Sequence, residues 1–454
     1  MRKPYVSWML AGLLAVTGPA FGADAEKTAD VETAANEAVA DDAAAADDGA
    51  IETAAEDRVS IDEIRRFVSV FRAVKQAYVE PIDDERLMRA AIRGLLSDLD
   101  PHSAYLDASQ SKDLDEMATG AYDGLGIEVV QNADRTLTVI APIDDTPAAR
   151  AGIRPGDVIV EIDGATISAE NVDAAVESMR GAPGTMIRLK IQRDGTAELL
   201  DFELKRETIR VASAKGRMLE SGIGYLRISN FQQDTGKEAA AQLAKLAKGG
   251  ALQGLVLDLR SNPGGLLFSA VALADLFLEE GEIVSTRGRL PYANSSQKAQ
   301  RGDVLKGAPM VVLIDAGTAS AAEVVTAALQ DRKRALVMGN RSFGKGSVQT
   351  VLPIDNGDTL KLTTSRYYGP SGRSIQATGI VPDIVLPERV EWREARALGT
   401  VREQDLPGHL EAEQGGTKAD GTPSPPTSTS DEDFAIREAV HLLKGLALYV
   451  RKSG

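Results

Sequence analysis

The sequence contains no cysteine and only three histidines, His102, His409 and His441, in 454 residues. Without cysteine the chain has no disulfide, no thiol nucleophile and no thiolate ligand for a metal. The histidines are far apart and no H-E-x-x-H motif is present, so the sequence does not indicate a metal site. The same scarcity argues against a Ser-His-Asp enzyme. We therefore expect neither a metal nor another cofactor.

Basic residues are outnumbered by acidic ones, with 51 Lys and Arg against 67 Asp and Glu, so the formal net charge is −16. A chain this acidic is a poor partner for nucleic acid. Its length allows two or three domains, and a hydrophobic content of 43% is enough to form their cores.

The first 25 residues have the features of an export signal. Arg2 and Lys3 precede an uncharged, largely apolar stretch from Tyr5 to Val16, and small residues follow. This stretch is short for a membrane-spanning helix of about 20 residues, so an uncleaved anchor is the second choice. We expect export to the periplasm of a Gram-negative bacterium, with association with the inner membrane if the signal is retained.

Composition divides the remaining chain into six parts. Residues 26–57 are rich in Ala, Asp and Glu and are predicted to be a disordered acidic linker. Helical spacing of apolar residues predicts a helical region over 58–117, and short strands with glycine-rich turns predict a compact domain over 118–206. Alternating strands and helices predict an α/β core over 207–390. A second disordered linker is predicted over 391–433 and a final helix over 434–454.

The rest of the chain is organised around the stretch from Val311 to Gln349. A short apolar strand ends near Asp315, and an alanine-rich helical pattern begins near Ser320. Ser320 therefore lies where helix-start amides have no partner within the helix, and such amides can stabilise an oxyanion. The pattern Ser320-Ala-Ala-Glu323 also fits a capping box, which is a purely structural role. Both interpretations remain open on this pattern alone.

Lys345 lies in the next turn-rich loop, between two glycines that allow close packing of the backbone. A lysine beside a serine can act as its general base if burial lowers the pKa of the amine. Lowering that pKa from about 10.4 to about 7–8 costs roughly 4 kcal/mol of stability. The rival interpretation is a phosphate-binding loop starting at Gly339, but that motif needs Ser or Thr where this chain has Gly346.

Five motifs together resemble those of the carboxy-terminal processing peptidases, also called tail-specific proteases, over about residues 60–386. They are D-P-H-S-A-Y-L at 100–106, PDZ-like motifs including A-G-I-R-P-G-D at 151–157, D-L-R-S-N-P-G-G at 258–265, G-T-A-S-A-A-E at 317–323 and S-F-G-K-G-S-V-Q at 342–349. The resemblance implies a multi-domain α/β fold. It comprises a ClpP/crotonase-like protease core, an inserted PDZ domain and a helical N-terminal region.

The resemblance also implies a role for each matching residue. Ser320 is expected to be the nucleophile of a Ser-Lys dyad, Lys345 its general base, and Gln349 the residue that orients the lysine. The implied oxyanion donors are the amides of Gly264, Gly265 and Ala321. Those implied to bind the carboxylate of a peptide in the PDZ domain belong to Leu125, Gly126 and Ile127.

The function that follows is a serine endopeptidase that recognises protein C-termini through its PDZ domain. The expected partners are protein substrates bound by their C-termini, an envelope adaptor protein and further copies of the chain in a dimer or larger oligomer. The alternative is a non-catalytic PDZ scaffold of the cell envelope, which would bind peptides without cutting them.

Overall fold

A computed structural model describes residues 59–132, 136–168, 170–196, 198–300, 302–354, 356–386, 403–405, 408–410 and 433–453. The predicted signal and acidic linker lie outside these ranges. The chain divides into two units, residues 1–98 and residues 99–454. Within the described ranges, no helix combines the length and the apolar character needed to cross a membrane.

The described part of the first unit consists of helix α1 (Ile61–Ala77) and helix α2 (Asp84–Ser97). Their starts are fixed by side chains, because Ser60 accepts the amide of Asp62 and Asp83 accepts the amide of Arg86. Pro81 lies between the two helices, where it cannot continue the first one. No residue of α1 is buried.

The second unit begins with β1 (Ala104–Leu106), α3 (Ala108–Thr119) and β2 (Ala121–Gly124), which lead into a small β-domain. The elements of this domain are β3 (Ile127–Gln131), β4 (Leu137–Pro142), α4 (Pro147–Ala151), β5 (Val158–Ile162), β6 (Ala165–Thr166), α5 (Val172–Ser178), β7 (Met186–Gln192) and β8 (Leu200–Lys205). The domain ends at β9 (Glu207–Arg210), which pairs antiparallel with β2. The chain therefore enters and leaves it through adjacent strands, as an inserted domain does.

The α/β core follows. Its elements are β10 (Ala214–Glu220), β11 (Ile223–Ile228), α6 (Thr235–Leu246), β12 (Gly254–Asp258), α7 (Leu267–Asp275), β13 (Glu282–Gly288), β14 (Ser295–Lys298), β15 (Met310–Ile314), α8 (Ala321–Asp331), β16 (Leu336–Gly339), β17 (Ser347–Pro353), β18 (Thr359–Tyr368), β19 (Ile384–Val385) and α9 (Phe434–Ser453). Short 3-10 helices occur at 247–249, 291–293 and 403–405.

The central sheet has the strand order β10-β11-β12-β15-β16-β19, and its strands are parallel from β11 onward. β12 and β15 are buried along their whole length, because helices cover both faces. α6, α7 and α8 pack on one face, and the apolar side of α9 packs on the other against Val256, Val311 and Met338. A second sheet, with the order β1-β18-β13-β14, adds β17 alongside β18.

One part of the linker predicted over 391–433 has defined structure. Glu403 lies in a 3-10 helix, Glu403–Asp405, and its side chain is buried within the second unit. The prediction of disorder is therefore wrong for this short segment, because a buried carboxylate with partners holds it in place. The remainder of that linker lies outside the described residues, apart from residues 408–410 and 433.

Candidate active site

Ser320 occupies a strained turn between strand β15 and helix α8. Its backbone angles are φ 54° and ψ −118°, a region that residues with a side chain rarely adopt. The chain turns so sharply here that the serine is presented at the carboxyl end of the central sheet, next to the start of α8. Ser320 is buried, with 7% of its surface exposed. The predicted position between a strand and a helix is therefore confirmed, and the strain is a feature that the sequence did not reveal.

The side-chain hydroxyl of Ser320 lies beside the phenol of Tyr367, on β18, and forms a hydrogen bond with it. Burial raises the pKa of Tyr367 to about 12, although this bond opposes the rise, so the phenol stays neutral at ordinary pH. No hydrogen bond joins Ser320 Oγ to Lys345 Nζ among the described residues. Tyr367 was not predicted from the sequence, because no local motif relates it to Ser320.

Glu323 connects the turn at Ser320 to the lysine loop, which is the segment 340–346 between β16 and β17 that carries Lys345. Its Oε2 atom accepts the backbone amide of Ser320 at 2.8 Å and that of Lys345 at 2.9 Å. Its Oε1 atom accepts the amide of Gly344 at 2.8 Å and the hydroxyl of Ser342. The amide nitrogens of Ser320 and Lys345 therefore both lie within 2.9 Å of the same oxygen atom, which keeps the backbones of the two residues close together.

The Glu323 carboxyl is fully buried, and burial raises its pKa to about 7. Its four hydrogen bonds from Ser342, Ser320, Gly344 and Lys345 act in the opposite direction, because each donates to the ionised form. The contact with the Ser320 amide is the one that the capping-box pattern predicts. The contacts with the lysine loop were missed, since they join segments about 20 residues apart.

Lys345 is half-buried in its loop. Burial lowers the pKa of its amine, and the nearby charge of Lys361 lowers it further. Three carboxylates act in the opposite direction, namely Glu403, Asp100 and Glu323. The net direction is downward, which is what a lysine acting as a general base requires.

Gln349 follows the lysine loop on strand β17. Its amide group donates to the hydroxyl of Ser347 at 3.0 Å and to that of Thr363 at 3.2 Å. The Thr363 hydroxyl in turn donates to Asp100 at 3.1 Å. In the part of the chain that the structure describes, Gln349 makes no hydrogen bond to Lys345. Its expected role in orienting the lysine therefore stays a prediction.

The turn after β12 packs directly against Ser320. A Cβ atom added to Gly264 would lie 2.8 Å from the Cβ of Ser320, so no larger residue fits there without displacement. Gly264 has φ 100° and Gly265 has φ 136°, both in the region that favours glycine. Asn262 fixes this turn, because its side chain donates to the carbonyl of Ile228 at 3.0 Å and accepts the amide of Gly264 at 2.9 Å.

The three expected oxyanion donors differ in their availability. The amide of Gly264 is already bonded to Asn262. The amides of Gly265 and Ala321 have no acceptor among the described residues, and Ala321 is the first residue of α8. An oxyanion formed at Ser320 would therefore lie next to the N-terminus of α8, whose partial positive charge stabilises a negative charge. Asn262 lies within the motif at 258–265, but the motif alone does not indicate that its side chain holds this turn.

The expected carboxylate-binding loop precedes the outer strand of the small β-domain. Leu125 is buried in the domain core, Gly126 has φ 75°, and Ile127 begins β3. β3 is the terminal strand of its sheet and pairs with β4. Ile127 and Val129 of β3 pack against the same core as Val176 of α5. Strand and helix thus have the arrangement in which an added peptide strand could bind.

No cluster of three or more His, Cys, Asp or Glu side chains with the geometry of a metal site occurs among the described residues. The acidic groups near Lys345 are instead bonded to protein donors. Asp100, for example, accepts the amides of His102 and Ser103, both at 2.8 Å, and the hydroxyl of Ser103 at 2.6 Å.

Three family models match the chain. The model of peptidase family S41 matches residues 222–386, the PDZ domain model matches residues 138–193, and the model described as the activating protease CtpB N-terminal domain matches residues 25–110. The first range includes Ser320 and Lys345. The PDZ range begins after the loop at 125–127, so the match does not extend to the expected carboxylate-binding residues.

Two relatives align with most of the chain. A carboxy-terminal-processing protease of Bartonella bacilliformis is 42% identical over 400 residues, which are 87% of this chain and 91% of the relative. The carboxy-terminal processing protease CtpA of Bacillus subtilis is 34% identical over 369 residues, which are 80% of this chain and 78% of the relative. Among solved structures, a photosystem II D1 C-terminal processing protease is 29% identical, with a TM-score of 0.43 over 72% of this chain and 94% of that one.

Proposed function

The chain belongs to peptidase family S41 and to its carboxy-terminal processing proteases, and on this premise we propose that Ser320 is the nucleophile and Lys345 the general base of this serine endopeptidase. The observation that carries the assignment is the shared oxygen of Glu323, which binds the backbone amides of both residues. The strained turn at Ser320 and the lowered pKa of Lys345 support it independently.

Acylation starts with the transfer of one proton. Neutral Lys345 takes the proton of the Ser320 hydroxyl while Ser320 Oγ attacks the carbonyl carbon of the scissile peptide bond. The Ser320 hydroxyl is hydrogen-bonded to the phenol of Tyr367 in the structure. For this step it has to break that bond and form one with the amine of Lys345. The carbonyl oxygen becomes an oxyanion, which the amides of Gly265 and Ala321 stabilise.

The intermediate then collapses and the C–N bond breaks. Protonated Lys345 gives its proton to the leaving amine, which departs as the new N-terminus of the downstream product. A water molecule attacks the ester of the acyl-enzyme, and Lys345 accepts its proton. The second collapse restores the Ser320 hydroxyl and releases the upstream product with a new carboxylate. In this scheme Gly264 contributes by holding the turn close to Ser320 rather than by donating, because its amide is bonded to Asn262.

We further propose that the PDZ domain selects substrates by their C-termini. A substrate tail would add a strand alongside β3, and its terminal carboxylate would bind the amides of Leu125, Gly126 and Ile127. The position of β3 at the end of its sheet supports this proposal, as do the apolar side chains that line the space between β3 and α5.

Cellular location and assembly are proposals of the same kind. The features of residues 1–25 support export to the periplasm of a Gram-negative bacterium, with inner-membrane association if the signal is uncleaved. The exposed apolar side chains of α1, such as Ile61 and Phe67, support a dimer or larger homo-oligomer. An adaptor protein of the envelope is a further proposed partner.

Cleavage of fluorescently labelled casein, without nucleotide or added metal, tests the proposed dyad. Ser320→Ala and Lys345→Ala are each expected to lower kcat/KM by about 10⁴-fold or more. Lys248→Ala, which removes an exposed lysine on the surface of the α/β core, is the matched control and should cleave casein as the wild type does. Persistent cleavage by either dyad variant would contradict the assignment. If both variants bound a C-terminal peptide as the wild type does and none of the proteins cut, the PDZ scaffold would be the better description.

A further inference from the structure

Glu403 is a fully buried carboxylate on the 3-10 helix Glu403–Asp405, beyond the range that the peptidase model matches. Both of its oxygens contact Nε2 of His102, at 2.9 and 2.7 Å. His102 belongs to the turn at the start of the second unit, and its backbone amide donates to Asp100. The contact therefore joins two segments that are 301 residues apart in the sequence.

Glu403 is connected to the lysine loop on both sides of Lys345, through its backbone amide on one side and through Gln376 and its carboxylate on the other. On one side, the amide of Glu403 donates to the carbonyl of Phe343 at 3.4 Å. On the other side, Gln376 is fully buried; its side-chain oxygen accepts the amide of Gly346 at 2.8 Å and its nitrogen donates to Glu403 at 3.0 Å. Gln376 also donates to the carbonyl of Leu410 at 3.2 Å, so the chain is held again after the short helix.

The charges around Lys345 come from several elements. Lys361 of β18 lowers the pKa of the Lys345 amine, whereas Glu403, Asp100 and Glu323 raise it. Of the three carboxylates, Glu403 has the largest effect on the pKa of Lys345. Asp100 and Glu323 are each held by several donors of their own, whereas Glu403 is held by His102 and Gln376.

We propose that Glu403 is a positioning residue for the catalytic lysine: its backbone amide and Gln376 hold the loop that carries Lys345, His102 holds its carboxylate, and its negative charge acts on the amine. The segment that follows the protease core is thereby a working part of the active site. This inference rests on the proposed role of Lys345 as general base. The negative charge of Glu403 stabilises the protonated amine of Lys345 and so raises the pH above which the amine is free to act.

Competitive labelling with trace acetic anhydride tests the inference, because peptide mass spectrometry then gives the pH at which each lysine loses its proton. Glu403→Gln keeps the size and part of the hydrogen bonding but removes the charge. The labelling midpoint of Lys345 should move to lower pH, since an anion that stabilised the protonated amine is gone. Gln404→Ala, on the same short helix, is the control and should leave the midpoint where it is in the wild type. Circular dichroism and thermal unfolding establish that each variant is folded.

Casein cleavage supplies the second readout. In Glu403→Gln the rise of kcat/KM with pH should begin at lower pH, whereas a purely structural role would lower the activity at every pH alike. Glu403→Ala removes the side-chain hydrogen bonds as well and should also lower kcat at the plateau. An unchanged Lys345 midpoint in folded Glu403→Gln would overturn the inference. Cleavage that survives in Lys345→Ala would instead overturn the proposed function, so the two failures are distinguishable.

Discussion

Replacing Glu323 by Gln tests the connection between Ser320 and Lys345, the proposed nucleophile and base. The substitution keeps the shape of the side chain, but one carboxylate oxygen becomes an NH₂ group that faces donors. Each oxygen of Glu323 accepts two hydrogen bonds, so at least two of the four contacts are lost. Hydrogen bonds to a charged group contribute about 1.5–3 kcal/mol each, which gives a loss of about 3–6 kcal/mol.

A second effect offsets much of this loss. Burial raises the pKa of Glu323 from its ordinary 4.5 to about 7 even though four hydrogen bonds act in the opposite direction, and Gln carries no charge whose burial is unfavourable. The free energy of unfolding should therefore decrease by less than the lost hydrogen bonds alone would give. Activity should fall by about 10²-fold in kcat/KM, because the lost bonds to Glu323 loosen the turn at Ser320 against the loop that carries Lys345, and a shift of about 1 Å has that effect.

Casein cleavage and thermal unfolding are measured together on Glu323→Gln. Glu280→Gln, which makes the same change at an exposed position, is the control. The pH dependence of stability adds a check. Because the folded-state pKa of Glu323 lies above its ordinary value, its contribution declines as pH rises from 4.5 to about 7, and the variant should lack this decline. Wild-type kcat/KM in folded Glu323→Gln would refute the reasoning.

Three further substitutions probe the neighbourhood of the site. Gly264→Ala should reduce casein cleavage by about 10²-fold or more, because the added methyl group would lie 2.8 Å from the Cβ of Ser320; normal cleavage would contradict the packing. Tyr367→Phe should raise the rate of acylation about fivefold in rapid-mixing experiments, since a hydrogen bond of about 1 kcal/mol no longer holds the serine hydroxyl; a fall would assign the phenol a direct catalytic role. Asp433→Asn breaks the ion pair with Arg260 at the start of α9 and should lower the free energy of unfolding by about 1 kcal/mol, seen as a melting temperature a few degrees lower; an unchanged value would mean that the pair does not anchor the helix.

Local patterns were sufficient to predict the elements that carry the residues of the proposed dyad. The apolar run before Asp315 and the alanine-rich run after Ser320 correspond to β15 and α8, because a buried parallel strand and a packed helix have strong local signatures. The pair of glycines around Lys345 correctly indicated close backbone packing, since an added Cβ at Gly346 would lie 2.4 Å from the amide of Gln376.

Contacts that depend on the tertiary fold could not be predicted in this way. Glu323 was recognised as a helix cap, but its bonds to the lysine loop require the next strand to return alongside β15. Glu403 lies in a stretch that is predicted to be a disordered linker, because composition reflects only the neighbouring residues in the sequence. It does not reveal hydrogen-bond partners such as His102 and Gln376, which are distant in the sequence. Tyr367 and Asn262 reach the site from other elements, and a single sequence carries no spacing rule that relates them to Ser320.

The central claim is that Lys345 activates the Ser320 hydroxyl. The most direct measurement is the rate at which a fluorophosphonate probe modifies Ser320, located by peptide mass spectrometry, in the wild type and in folded Lys345→Ala. Ser320 in the wild type should be modified at a rate that rises as the lysine loses its proton, and the rate in the variant should be at least about 10²-fold lower. Equal rates in the two proteins would contradict it.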